Sequence, residues 1–223
     1  MIVQYRSVHE FNEISFRGPG LLEVHQGEIE ALSIEAPGAI LEQIVSRVDS
    51  GTLHLGFQPQ KISVLSIYRS PIRYRLDVRE LSNVRVSGHG RVIIPDLDTD
   101  NLTCRLTGRS SIRLDQLTSD LFDVTLADAA QMQVKGDIES QVLSLKGKAN
   151  YEAEDLMSDS ADIRLSDCAK AQIRVNDLLT AYVGGQATLS YIGYPELSKT
   201  GAGNIVRKRK QLADSTLLNH VKK

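Results

Sequence analysis

The chain has 223 residues, room for one large domain or two small ones around a buried core. Its 26 Lys and Arg against 28 Asp and Glu leave a formal net charge of -2, which excludes the strong global field that recruits nucleic acid or an anionic membrane surface. Apolar runs of only a few residues exclude a helical membrane span, which needs about 20. An aromatic content of 5% with no Trp counts against a site that stacks sugar rings on aromatic faces.

Residues 1–20 lack the basic start, apolar middle and small-residue cleavage site of an export signal. If Met1 is the native start the protein is expected in the cytoplasm; if a signal was trimmed away, outside it. From residue 8 to residue 79 short alternating pairs recur at a loose period: Ile14 and Phe16, Leu22 and Val24, Leu32 and Ile34, Leu53 and Leu55, Ile62 and Val64, Leu76 and Val78. Alternation marks half-buried strands, and Gly18-Pro19-Gly20, Pro37-Gly38 and Pro59 mark turns between them. This stretch reads as the first rungs of a coil, flattened into a broader sheet. Ala39 to Arg47 reads as one helical turn or two.

From Val84 the pattern becomes a true repeat. Segments beginning at Val84, Cys104, Val124, Leu143, Ile163 and Ala181 each open with an alternating pair, pass a small or polar turn and continue as a second pair. The anchors Val86, Leu106, Leu126, Leu145, Leu165 and Val183 are separated by 20, 20, 19, 20 and 18 residues. Six residues beyond them lie Val92, Ile112, Met132, Tyr151, Ala171 and Leu189, and most units end on a polar residue followed by Leu or Ile: Leu97, Leu117, Ile138, Leu156, Leu178. A period near 20 is too short for a propeller blade and carries no leucine-rich-repeat consensus. A coil of three short strands per turn remains, in which rungs stack at about 4.8 Å and inward residues form apolar columns. The fold class is therefore all-β, a single-chain parallel β-helix (β-solenoid), taken as right-handed from the preference of parallel crossovers, with about 20 residues per rung. One domain is expected over 1–206, with looser rungs over 8–79 and regular rungs over 80–206. Residues 207–223 form a basic tail or cap.

The turn positions Gly88, Gly90, Gly108, Gly147, Gly184 and Gly185, with Asp128 and Asp167, suit the positive φ of sharp corners. Cys104 and Cys168 fall three rungs apart, about 14 Å along the axis, whereas bridged Cα atoms lie within about 7 Å. No disulfide is expected; Cys104 should be buried and Cys168 more accessible.

Chemistry is sparse. The five histidines show no metal-ligand spacing, and neither glycine loop is followed by a helix that would cradle phosphate, so no cofactor and no metal are expected. Asp96, Asp98, Asp100, Asp115 and Asp120 have the residue type of a β-helical polysaccharide-cleaving enzyme, but they fall where turns call for Asp anyway. The binding candidates are Arg85, Arg105 and Arg164, each preceding an equivalent anchor and so forming an outward column, together with Tyr182 and Tyr194 near the end of the coil. Arginines about 5 Å apart repel unless carboxylates or a bound anion intervene, and local acidic neighbours are the expected answer. Tyr191 either joins an exposed aromatic patch or fills the core at a tapering last rung.

FNEISF at Phe11–Phe16, LLEVHQG at Leu21–Gly27, SGTLHL at Ser50–Leu55, turns of the SGHG type and YIGYPELSKTGAGNIV at Tyr191–Val206 resemble, in their order, the putative auto-transporter adhesin, head GIN domain family. The resemblance runs to about Val206; Ala127–Gln131 and Ser166–Lys170 depart from its Ser-Gly-x-Gly turns. It implies a parallel β-helical bacterial protein, exported or lipid-anchored, with no established enzymatic activity. The function expected is a non-enzymatic, adhesin-like binding or structural module presenting a solenoid face to a glycan or protein partner at the cell envelope. Two alternatives stay open, an intracellular scaffold or interaction protein and a β-helical carbohydrate-active enzyme. Self-association into a homo-oligomer fits all three, because solenoid ends and flat sides are adhesive.

Overall fold

The computed structural model describes residues 1–58 and 71–209. From Asn83 onward the chain winds as a parallel solenoid whose strands pair in register with the rung before and after. One face, A, stacks β8 (Asn83–Ser87), β11 (Asn101–Leu106), residues 121–126, 140–145 and 160–165, β16 (Leu178–Val183) and β18 (Glu196–Thr200). A second face, B, stacks β9 (Gly90–Ile94), residues 111–114, 131–134 and 150–153, β15 (Lys170–Arg174), β17 (Thr188–Ile192) and β19 (Asn204–Arg207). The third, C, is short: β10 (Leu97–Asp98) and residues 117–119, 136–138 and 155–158. In the middle rungs β12 (Ser111–Leu126), β13 (Gln131–Leu145) and β14 (Asn150–Leu165) run unbroken around the corners from B through C to A.

Both predicted anchor columns are buried, so each rung hands its apolar side chains to the next and its backbone groups to both neighbours. One column carries a polar exception: Leu102, Phe122, Gln141, Ala161 and Leu179 are in register, and Gln141 is fully buried among them. Its Nε2 donates to Ser158 Oγ at 2.6 Å, Ser158 Oγ donates to the Arg174 carbonyl at 2.8 Å, and Tyr151 Oη donates to Gln141 Oε1 at 3.4 Å. A satisfied network of this kind tolerates burial; an orphaned member would not.

The irregular spacings have structural addresses. Leu114 pairs Val134 at an offset of 20, yet Leu117 pairs Gly136 at 19, so the residue missing from the 19-residue unit is lost at the B-to-C corner. The tightened corner forces φ of +133° on Gly136, where a Cβ would stand 2.0 Å from the Leu117 carbonyl oxygen. In the 18-residue unit Ile173 keeps an offset of 20 from Ala153, while Leu178 lies 18 beyond Ser160. Face C has shrunk to a bend there. Leu178 is consequently not the corner residue expected: it is 46% exposed, and buried Val175 takes the inward position.

At the A-to-B turns Gly88, Gly108, Asp128, Gly147, Asp167 and Gly185 all have positive φ and lie in one column. From Arg109 onward the residue after each of these positions donates its N–H to the turn of the rung before, as where Ala129 N–H donates to the Gly108 carbonyl at 2.9 Å. The two aspartates are explained by their side chains, since Asp128 and Asp167 Oδ2 accept from Gly108 and Gly147 N–H at 2.9 Å. Gly90 and Gly184 do not share the positive φ expected of them; at Gly90 the constraint is space, because a Cβ would lie 2.8 Å from the Phe16 ring. Asp167→Ala removes the side-chain acceptor and leaves an L-residue at φ of +59°. It should lower stability by about 1–2 kcal/mol, read from the urea midpoint, with Asp167→Gly less harmful because glycine restores the backbone freedom.

The first rungs do not stack in chain order, which corrects the simple reading of residues 8–79. Strands β2 (Glu13–Arg17) and β3 (Gly20–Gln26) are inserted: β2 pairs β8 on one side and β6 (Thr52–Phe57) on the other, and β3 pairs β9 and β7 (Arg73–Val78). The rung formed from β6 and β7 therefore precedes the rung that comes first in sequence. Antiparallel strands finish this end, β5 (Ile44–Asp49) on β6, β4 (Ala31–Ala36) on β7 and β1 (Ile2–Arg6) on β4. Helix α1 (Gly38–Leu41) is a single turn; Glu42 and Gln43 form a turn, and from Ile44, which is buried in the core, the expected helical stretch is strand β5. Arg6 clamps this cap, donating to the Ile44 carbonyl at 2.7 Å, the Leu41 carbonyl at 3.0 Å and Ser46 Oγ at 3.1 Å. Burial pushes the neighbouring Tyr74 hydroxyl well above its ordinary range, opposed by the Arg6 charge. The expectations at Pro59, Ile62, Val64 and residues 210–223 of the basic tail lie outside the described residues.

Both cysteines are free, Cys104 buried and Cys168 exposed. Desolvation raises the Cys104 thiol pKa strongly, with nearby Asp123 adding to the effect. A disulfide-exchange reagent should titrate one thiol per native chain and two after unfolding. Two fast native thiols would show that the Cys104 rung opens locally.

Candidate functional site

On a solenoid face every second side chain points outward, and register turns those side chains into columns along the axis. The column predicted on face A exists. Arg85 pairs Arg105, followed by Thr125, Ser144, Arg164, Tyr182 and Thr200 on successive strands. The repulsion is relieved in two ways. Arg85 Nη1 lies 3.0 Å from Glu13 Oε2, a carboxylate contributed by the inserted strand β2, and Thr125 and Ser144 separate Arg105 from Arg164. Tyr182 is 50% exposed at the next step. Tyr194 does not join the column: it stands between β17 and β18, 81% exposed, with the Arg207 guanidinium 3.7 Å above its ring centroid. Tyr191 pairs Ile173 and packs against the core, which decides between its two readings.

A concavity lies on face B, where no residue was nominated from the sequence. A groove of about 360 Å³ runs over five rungs. One wall is the column Leu21, Arg91, Ser111, Gln131, Asn150; the other is Ile93, Arg113, Gln133, Glu152. Arg113 Nε donates to Asp115 Oδ1 at 2.7 Å, and Asn150 Nδ2 donates to Glu152 Oε1 at 2.8 Å. Arg91 has no such partner among the described residues. A second hollow of about 330 Å³ continues the face past Gln133 and Glu152 to Glu154, Asp155 and Gln172. Beyond it Lys208 Nζ ties Glu154 Oε1 at 2.6 Å and Gln172 Oε1 at 2.8 Å, pinning the end of the last rung back onto the face.

These wall residues were legible only in part. They occupy the fifth and seventh positions after each face A anchor, and aligned they read Arg, Ser, Gln, Asn and Ile, Arg, Gln, Glu. A ladder of amides looks like ordinary solvated surface until the register shows that the columns flank a furrow.

Of the carboxylates considered for catalysis, Asp115 is taken up by Arg113, while Asp96, Asp98, Asp100 and Asp120 are exposed around face C. Among the described residues no three His, Cys, Asp or Glu side chains converge as a metal site, and no helix is long and apolar enough to cross a membrane.

The fold is shared with bacterial proteins of known structure. A putative adhesin from Bacteroides fragilis NCTC 9343 superposes with a TM-score of 0.81 at 24% identity, covering 93% of this chain and 96% of its own. A putative lipid binding protein from Parabacteroides distasonis ATCC 8503 gives 0.75 at 19% identity over 93% and 96%, and a putative adhesin from Parabacteroides merdae ATCC 43184 gives 0.76 at 16% over 94% and 96%. No curated protein matches the chain. The model of one family, described as "Putative auto-transporter adhesin, head GIN domain", matches residues 10–195, from the inserted first strands to the tapering rungs, and the chain belongs to that family.

Proposed function

We propose that the protein is a non-enzymatic, adhesin-like binding module that presents a solenoid face to a glycan or protein partner at the cell envelope. The observation that carries this reading is the face B groove, whose two in-register polar walls are held on strands paired from both sides. Such walls are pre-organised, because every rung below and above fixes the backbone that carries them. Family membership supports the adhesin-like role, and the relatives described as putative adhesins support placing it outside the cytoplasm. The face A column of Arg85, Arg105, Arg164 and Tyr182 is a secondary contact surface in this reading, and Tyr194 an isolated one.

The exposed free thiol of Cys168 favours a second reading, an intracellular scaffold, since reducing compartments preserve such thiols. Fractionation with protease treatment of intact cells separates the two. Digestion of this chain while cytoplasmic markers survive supports the envelope module; full protection in the soluble cytoplasmic fraction sinks it.

A further inference from the structure

We propose that the face B groove binds a linear polysaccharide bearing carboxylate groups, laid along the solenoid axis with a carboxylate on Arg91. This rests on the groove being the binding face.

The first argument is what the groove withholds. Its strands are paired on both sides, so no free backbone edge is offered and an extended peptide cannot add itself as a strand. Recognition falls to side chains alone. None of the lining residues is an outward aromatic of the kind that anchors protein interfaces. A ligand carrying its own dense hydroxyls and charges fits better than a folded protein surface.

The second argument is periodic. Arg91, Ser111, Gln131 and Asn150 advance by one strand each, about 4.8 Å per step, so the wall spans about 14 Å. That step is close to the length of one sugar ring in an extended chain, so successive residues meet successive rungs. Gln131, Gln133 and Asn150 each bring an amide with donor and acceptor, the pairing that hydroxyl groups need.

The third argument is polarity along the groove. Arg113 is already held by Asp115, and Glu152 closes the far end, engaged by Asn150. Of the two lining cations, Arg91 is the one with no side-chain partner among the described residues, and it stands beside Leu21 and Ile93, which offer an apolar strip to the C–H face of a ring. A guanidinium without a partner at one end, amides in the middle and a carboxylate at the other specify an anionic group at the Arg91 end and hydroxyls beyond it.

The test is calorimetric titration of the full chain with oligomers of polygalacturonate, alginate and hyaluronan, with methyl-esterified polygalacturonate as the same backbone stripped of charge. At least one acidic oligomer should bind saturably, weaken as salt is raised, and lose about tenfold or more in affinity on Arg91→Ala or esterification. Gln131→Ala should weaken it several-fold, and Lys146→Ala, which removes an exposed cation elsewhere, should leave it unchanged. Arg91 is exposed, so its variant should fold as the parent does. Equal binding of the charged and esterified forms, or no acidic oligomer binding at millimolar concentration, overturns the carboxylate proposal. If a neutral glycan or a protein binds instead and Gln131→Ala weakens it, the groove reading survives alone; if no groove variant affects any ligand that binds, both fall.

Discussion

Gly136→Ala should lower stability by at least about 3 kcal/mol and the midpoint of thermal unfolding by roughly 6–12 °C. The position lies where one rung is a residue short, and the chain recovers register only by taking φ of +133°. An added Cβ would meet the carbonyl oxygen of Leu117 at 2.0 Å and its amide nitrogen at 2.6 Å. Backbone of the preceding rung cannot step aside as a side chain would, because its own ladder bonds fix it. Gly27→Ala is the control: its Cβ would find nothing within 4 Å, and its effect should stay within about 0.5 kcal/mol. Comparable urea midpoints for the two variants would show that the corner yields far more than its geometry indicates.

Phe16→Ala is expected to cost about 3–5 kcal/mol, and its effect should be confined to one end of the molecule. Phe16 is fully buried in the inserted rung, 5.2 Å edge-on from Tyr74 in the rung on one side and packed over Gly90 in the rung on the other. Emptying that volume loosens both junctions at once. In a stack each rung touches its neighbours alone, so amides of β2, β3, β6 and β7 should lose exchange protection while those of β13 and β14 keep theirs. Hydrogen exchange resolved by peptide reads this directly; equal loss throughout would mean the solenoid unfolds as one cooperative unit.

The regular rungs were readable because two independent signals coincide in them, alternation within a strand and a fixed period between strands. Even the irregular spacings were informative: the short intervals before Leu145 and Val183 mark the tightened corner at Gly136 and the vanished third face near Val175. Order in the first rungs was not readable. Ile14 and Phe16 have the same alternation as Leu53 and Leu55, and nothing local says which pair stacks on Val84 and Val86; the answer depends on partners some 70 residues away. Arg85 shows the same limit, since the carboxylate that neutralises it is Glu13. Among the candidate binding residues, charge drew the reading to the arginine column of face A, whereas the face B groove mixes amides with two arginines and a glutamate whose alignment shows only in register.

The insertion of β2 and β3 bears on how the protein is made. These strands leave the ribosome before their partners, which on one side are complete only at Val78 and on the other at Ile94. At roughly 5–20 residues per second, the nascent chain carries an unpaired apolar strand pair for several seconds. During that interval Phe16, Leu22 and Val24 are available to any neighbouring chain on the same polysome. Correct assembly therefore depends on keeping β2 and β3 idle until the later strands have been synthesised to receive them.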